Sequence, residues 1–264
     1  MIFDFEGQSI DVRQMGEGPD LLLIHGYPLD GAMWSSVARR LADRFRVLKP
    51  DLPGRTGNAV AASGSLNAYA DFIASILDRL EWPVGLAGFS MGGYIGLELM
   101  RRRHPKVGAL AFVDTRAVAD DEAAKMNRDG SISTLKTQGV EAIADAMLPR
   151  LLSPEAALKG DLIARVRRII LRQTHEGLES DLRAMRDRAE STALLSQIAV
   201  PTLVIAGEHD LISTVAESQA MANAIPGARF VAIPAAGHLT PMESPAAVAK
   251  ALGEFFETSL KPEV

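Results

Sequence analysis

The 264-residue chain contains no cysteine. That single absence removes disulfides, thiolate nucleophiles and Cys-ligated zinc. Positive charge is also scarce: 28 Lys+Arg stand against 33 Asp+Glu, a formal charge of −5. Phosphate binding needs a clustered basic surface, so nucleic acid is excluded as the main partner. Long apolar runs are missing too. The longest, such as 21–24 and 203–206, fall far short of the roughly 18 residues that cross a bilayer. The opening Met1-Ile2-Phe3-Asp4-Phe5-Glu6 carries acids where a signal peptide carries Lys or Arg. The expectation is a cytoplasmic protein that engages no membrane.

What is present is apolar. Hydrophobic residues make up 47% and charged residues only 23%, too apolar a mix for a disordered chain. A chain of this length buries about 70–75% of its unfolded surface and needs neither metal nor crosslink for stability. Short β-rich runs at 21–24, 46–48, 84–87, 110–113, 203–206 and 230–233 read as strands. Most lack alternation, as in a parallel sheet covered on both faces. Helical spacing recurs at 34–44, 69–80, 91–103 and 215–224. Strand–helix alternation of this kind predicts a doubly wound α/β domain. Two earlier runs, 2–5 and 10–14, read as an antiparallel hairpin joined at Glu6-Gly7. Alternation stops over 116–190, which carries helical runs at 140–152 and 154–174 and no strand. The reading is one core domain, 1–115 plus 191–264, interrupted by a helical insertion at 116–190.

The strongest local signal is Gly88-Phe89-Ser90-Met91-Gly92, followed by Gly93, between a strand and a helix. A sharp strand-to-helix turn forces Ser90 into strained geometry, and the flanking glycines remove side chains that would clash. The helix N-terminus beneath offers free N–H groups to a developing anion. A serine hydroxyl needs a base, and the base needs an orienting acid. His238, in a loop after the strand at 230–233, lies at the carboxyl edge where open α/β sheets place their ligands. His25, within His25-Gly26-Tyr27-Pro28, suits a structural turn and an oxyanion loop. His104 ends a basic helix as a C-terminal cap, and His175 and His209 read as surface residues. For the acid, Asp210 and Asp114 both follow apolar strands. Asp210 gives the chain order Ser…Asp…His of one known triad, whereas Asp114 can cap the insertion's first turn or pair with Arg116.

These anchors together resemble the α/β-hydrolase fold: His25-Gly26-Tyr27-Pro28, Asp51-Leu52-Pro53-Gly54, the Gly88–Gly92 elbow with Gly93, the stretch from Pro201 to Gly207 and Asp210, and Gly237-His238 with Pro241. The chain is similar to cofactor-independent serine hydrolases of the esterase, enol-lactonase and non-haem haloperoxidase kind. The resemblance implies a mostly parallel central sheet with helices on both faces, and the insertion as a helical cap. It places the acid at Asp210 and the oxyanion hole at the backbone N–H groups of Tyr27 and Met91, with His25, Gly26, Gly88 and Gly92 as support. It implies no cofactor and no metal. One departure is Gly54-Arg55-Thr56-Gly57-Asn58, where similar sequences often run Gly-x-Gly-x-Ser.

The function so read is hydrolysis of a small-molecule carboxylic ester or lactone through an acyl-enzyme on Ser90. The alternatives are a cofactor-free perhydrolase or haloperoxidase with the same triad, and a ligand receptor with little turnover. A carboxylate nucleophile, needed for haloalkane dehalogenation, is absent at the elbow. Arg165, Arg168 and Arg172 read as a solvated stripe, or else a steering patch for anionic substrates. Met126, Met147 and Met185 read as core filling, or else pocket lining. Trp34 is expected to pack the helix after the oxyanion loop, and residues 59–65 form a small-residue loop.

Overall fold

Glu6 and Gly7 adopt positive φ, 51° and 76°, and turn the chain between β1 (Ile2–Phe5) and β2 (Gln8–Asp11). The computed structural model describes residues 1–260 except 56, 57, 59–62 and 82. Thr56 and Gly57 of the departing loop, and 59–62 of the small-residue loop, therefore lie outside the described residues. The hairpin is antiparallel as expected, but the run at 10–14 divides. Its second part, β3 (Arg13–Met15), leaves β1 and pairs antiparallel with β5 (Arg46–Lys49) at the edge of a larger sheet.

That sheet has seven strands in the order β3-β5-β4-β6-β7-β8-β9, adding β4 (Asp20–Ile24), β6 (Val84–Phe89), β7 (Val107–Val113), β8 (Thr202–Gly207) and β9 (Arg229–Ile233). All but β3 run parallel. Every residue of β4, β6 and β8 is buried, which is why their sequences show no polar alternation. Going from β4, the chain first builds outward to β5, then crosses back to β6 on the other side of β4. The carboxyl ends of β4 and β6 thus flank a topological switch point, the crevice where open α/β sheets bind ligands.

The helices are α1 (Ser35–Leu41), α2 (Leu66–Leu77), α3 (Met91–Arg101), α4 (Glu122–Leu151), α5 (Gly160–Leu171), α6 (His175–Arg186), α7 (Val215–Ala224), α8 (Thr240–Glu243) and α9 (Pro245–Ser259). Neighbouring residues of β6 show that both faces are covered. A Cβ on Gly85 would stand 2.9 Å from Phe256 of α9, while Gly96 of α3 faces Leu86 and Leu110. Successive strand residues point to opposite faces, so α3 and α9 sandwich the sheet. α2 carries the hairpin, with Phe5 edge-on to Phe72 at 5.3 Å.

Between β7 and β8 the chain is helical. α4 is broken at Gly139, whose φ of 84° and ψ of −173° are not helical. The run expected at 140–152 is its second half. The run expected at 154–174 divides into a short 3-10 turn, Ala156–Leu158, and α5. α6 escaped the sequence reading, although Leu178, Leu182 and Met185 fall on one helical face and are buried. Charge ties this segment to the core. Arg55 and Asp181 form a fully buried ion pair, Tyr69 donates to Asp181 at 2.7 Å, and Arg172 grips Asp30 with two bonds of 2.5 and 2.6 Å. Arg172 is thus exposed, as the stripe reading expects, and at the same time anchored to Asp30. Arg165 turns inward, to Ser36, while Arg168 is exposed.

Two of the sequence anchors hold each other. His25 donates from Nδ1 to the Gly26 carbonyl at 3.2 Å and accepts the Leu52 N–H on Nε2 at 3.0 Å. It is completely buried, and that burial, reinforced by the Arg55 charge, pulls its pKa down to about 3. A histidine held neutral when folded but basic when unfolded binds more protons in the unfolded chain between about pH 3 and 6.5, so stability rises with pH across that window. His25 should contribute a loss of about 3 kcal/mol as the pH drops from 6.5 to 4. The measurement is the unfolding free energy of the protein minus that of His25→Asn at each pH. A difference that does not change with pH contradicts the assignment.

Candidate active site

Ser90 is where β6 ends and α3 begins, at φ 50° and ψ −113°. Such backbone costs of order 1–3 kcal/mol and persists because its surroundings leave no alternative. The Ser90 N–H donates to Val113 O at 2.9 Å, and its carbonyl accepts the Thr115 hydroxyl at 2.8 Å. Close approach explains the glycines. A Cβ on Gly88 would lie 2.3 Å from the Gly92 carbonyl oxygen, and one on Gly92 would lie 2.5 Å from that of Ile24. A Cβ on Gly26 would lie 2.9 Å from the Phe89 carbonyl oxygen and 3.0 Å from Ser90 Cβ, so the 25–28 loop packs directly on the elbow.

His238 follows β9 and Asp210 follows β8, at the same carboxyl edge. Ser90 Oγ is 3.0 Å from His238 Nε2, and His238 Nδ1 is 2.8 Å from Asp210 Oδ2. All three side chains are buried. Asp210 Oδ1 accepts the Ile212 and Ser213 N–H groups at 2.7 and 3.0 Å, and the Ser213 hydroxyl donates to Oδ2 at 2.7 Å. Burial alone would raise the Asp210 carboxyl. The His238 charge and these hydrogen bonds outweigh it and hold the carboxyl below its ordinary value. Hydroxyl, imidazole and carboxylate in this line can move a proton from oxygen to nitrogen and stabilise the resulting imidazolium.

Asp114 is also buried at this edge, yet it neither caps a helical turn nor pairs with Arg116. It accepts the Gly207 N–H at 2.9 Å and the Thr240 hydroxyl, so it clamps the end of β8 to the histidine loop. Burial, then the nearby Asp210 charge, push its pKa well above the ordinary carboxylate value. The two acids are thus driven in opposite directions. Glu243 fixes the same loop by accepting the Gly237 and Ser153 N–H groups. Neither clamp was read from the sequence. Ser213 was missed as well, although a Ser three residues after an Asp is a recognisable turn pattern.

The other candidates divide. Neither the Tyr27 N–H nor the Met91 N–H has a hydrogen-bond partner among the described residues, and the Tyr27 and Ser90 side chains border one cavity of about 220 Å³. Met147 and Met185 line that cavity; Met126 is exposed. Trp34 packs edge-on to Phe89, which sits 5.1 Å beneath the His238 ring. His175 and His209 are surface residues. His104 does not cap α3 through its ring: the ring accepts the Lys106 N–H and faces Asp78 at 3.5 Å. Among the described residues no cluster of His, Asp and Glu could hold a metal, and no helix is long and apolar enough to cross a membrane.

Known proteins share this fold. A solved thermophilic esterase from Thermogutta terrifontis is 36% identical, with 96% of this chain and 94% of that one superposed at a TM-score of 0.91. The enol-lactonase of Burkholderia xenovorans is 27% identical, with 97% and 100% covered at a TM-score of 0.88. Pimeloyl-(acyl-carrier protein) methyl ester esterase of Nitrosomonas europaea is 29% identical over 237 residues, 87% of this chain and 92% of its own. Residues 21–251 match the model of the Alpha/beta hydrolase family. With the match running from β4 into α9 and taking in Ser90, Asp210 and His238, this chain belongs to the alpha/beta hydrolase family.

Proposed function

We propose that this chain is a serine hydrolase that cleaves a carboxylic ester or lactone of a small molecule through an acyl-enzyme on Ser90. The observation that carries the reading is the unbroken line of hydrogen bonds from Ser90 Oγ through His238 to Asp210. Relatives named as an esterase, a methyl ester esterase and an enol-lactonase support the bond type.

In this mechanism His238 Nε2 takes the Ser90 proton as Oγ attacks the carbonyl carbon. Asp210 accepts from Nδ1–H and stabilises the imidazolium. The oxyanion receives the Tyr27 and Met91 N–H groups, a contribution in which one lost donor costs about 10²–10³ in rate. The tetrahedral intermediate collapses as His238 returns the proton to the leaving alcohol. Water then gives its proton to His238 and attacks the acyl-enzyme, releasing the acid and restoring Ser90. A fluorophosphonate probe should add its mass to the peptide containing Gly88–Gly92, and Ser90→Ala should abolish that adduct. Labelling that survives in Ser90→Ala would move the nucleophile elsewhere.

Asp210, not Asp114, is the acid in this reading. Asparagine at 210 favours the wrong histidine tautomer, a change worth up to about 10⁴ in kcat. Asp114 is held in surroundings that favour its neutral form, so a neutral asparagine there should cost less than about tenfold. Steady-state kinetics of Asp210→Asn and Asp114→Asn, with the fold checked by circular dichroism, decide between them. The opposite ranking would assign the acid to Asp114.

The segment 116–190 acts as a cap that selects the acyl group, over a core made of 1–115 and 191–264. Met147 of α4 and Met185 of α6 supply apolar lining beside Ser90 and His238. Met147→Ala enlarges that cavity and should shift the preferred 4-nitrophenyl ester toward longer chains while Ser90 still labels fully. Loss of labelling in a folded Met147→Ala protein would instead make the cap part of the reacting site.

A further inference from the structure

The cavity beside Ser90 and His238 has a charge pattern at odds with the −5 of the whole chain. Among the described residues, three arginines line it, Arg116, Arg128 and Arg150, and no Asp or Glu does. Their countercharges do not suffice. Asp120, buried behind the wall, serves Arg128 at 3.0 Å, Arg188 at 2.6 Å and Arg116 at 3.6 Å. Glu217 adds one partner for Arg116 at 3.4 Å. Two carboxylates therefore answer four guanidinium groups. The Arg116 Nε is buried without a hydrogen-bond partner among the described residues. Arg150, next to Pro149 near the end of α4, makes no side-chain hydrogen bond or ion pair among them. Tyr94, one turn along α3 from Ser90, lines the same space.

A guanidinium keeps its charge at any physiological pH and presents a fork that matches a carboxylate. An excess of such groups in a cavity with a nucleophile raises the local concentration of anionic ligands. The cavity, at about 220 Å³, is smaller than a drug-sized site. We propose that the substrate is a small ester or lactone carrying a second, ionised carboxylate, held by Arg150 with Arg128 and Arg116 while its ester carbonyl lies at Ser90. The proposal rests on the ester-hydrolase reading and adds the charge of the substrate to it.

The test compares mono-4-nitrophenyl glutarate with 4-nitrophenyl 5-methylhexanoate, in which an isopropyl group replaces the carboxylate at the same distance from the ester. Ser90→Ala supplies the uncatalysed rate of each. The wild type should favour the anionic ester by about tenfold or more in kcat/KM, mainly through KM, and 0.5 M NaCl should erode that ratio. Arg150→Gln, which removes no hydrogen bond or ion pair among the described residues, should cut the ratio about fivefold, and Arg150→Lys should restore most of it. A wild type that hydrolyses the neutral ester equally well, or an Arg150→Gln that lowers both esters alike, overturns the carboxylate site and leaves the hydrolase reading standing. Turnover of neither ester overturns the hydrolase reading, and this site with it.

Discussion

The left-handed backbone of Ser90 is the constraint on which the rest of the site depends. A serine at φ 50° is unfavourable in isolation, and three independent features hold it there. The parallel pairing of β6 with β7 fixes the Ser90 N–H on Val113. Thr115, just past the end of β7, takes the Ser90 carbonyl. The bare backbones of Gly88 and Gly92 let the strand, the helix and β4 meet at distances that no side chain tolerates. The hydroxyl is thereby lifted to the sheet edge, with α3 directed away beneath it.

Everything else converges on that edge because parallel strands end together. Tyr27 follows β4, His238 follows β9 and Asp210 follows β8, so residues over 200 positions apart share one crevice. Their loops are fixed by buried polar bonds and not by apolar packing alone. His25 catches Leu52, Asp114 bridges Gly207 to Thr240, and Glu243 bridges Gly237 to Ser153. Each bond lies in a setting where an unmade partner would cost about 1–3 kcal/mol. That cost helps hold the side chains of Ser90, His238 and Asp210 in line.

The helical segment between β7 and β8 lines the cavity beside Ser90, and ion pairs tie it to the core. Arg55–Asp181 is buried from end to end, and Asp30 holds Arg172 and Gln173. Buried pairs contribute little net stability, but removing one partner is costly because the other charge is stranded. The attachment therefore specifies where the segment sits more than it strengthens the fold. Arg55 also donates to the Leu29 carbonyl at 2.9 Å. One guanidinium thus connects α6 to the loop that carries Tyr27.

Local pattern and chain order were enough to read the strands, the elbow, and the Ser90, His238 and Asp210 candidates. A buried parallel strand has a run of apolar residues, and a tight turn has glycines, whatever the remainder of the chain does. Three matters were settled only by the folded chain. β3 left the hairpin because a free edge on β5 was available to pair with it, which no property of residues 13–15 announces. Asp114 and Asp210 look alike as acids after strands, and they separate only when Thr240 and Gly207 claim one while His238 claims the other. The arginines of the cavity are scattered along the chain and net to nothing in an acidic composition. Their convergence on one cavity, with the buried Asp120 shared by Arg116 and Arg128 and by Arg188 behind them, exists only in three dimensions.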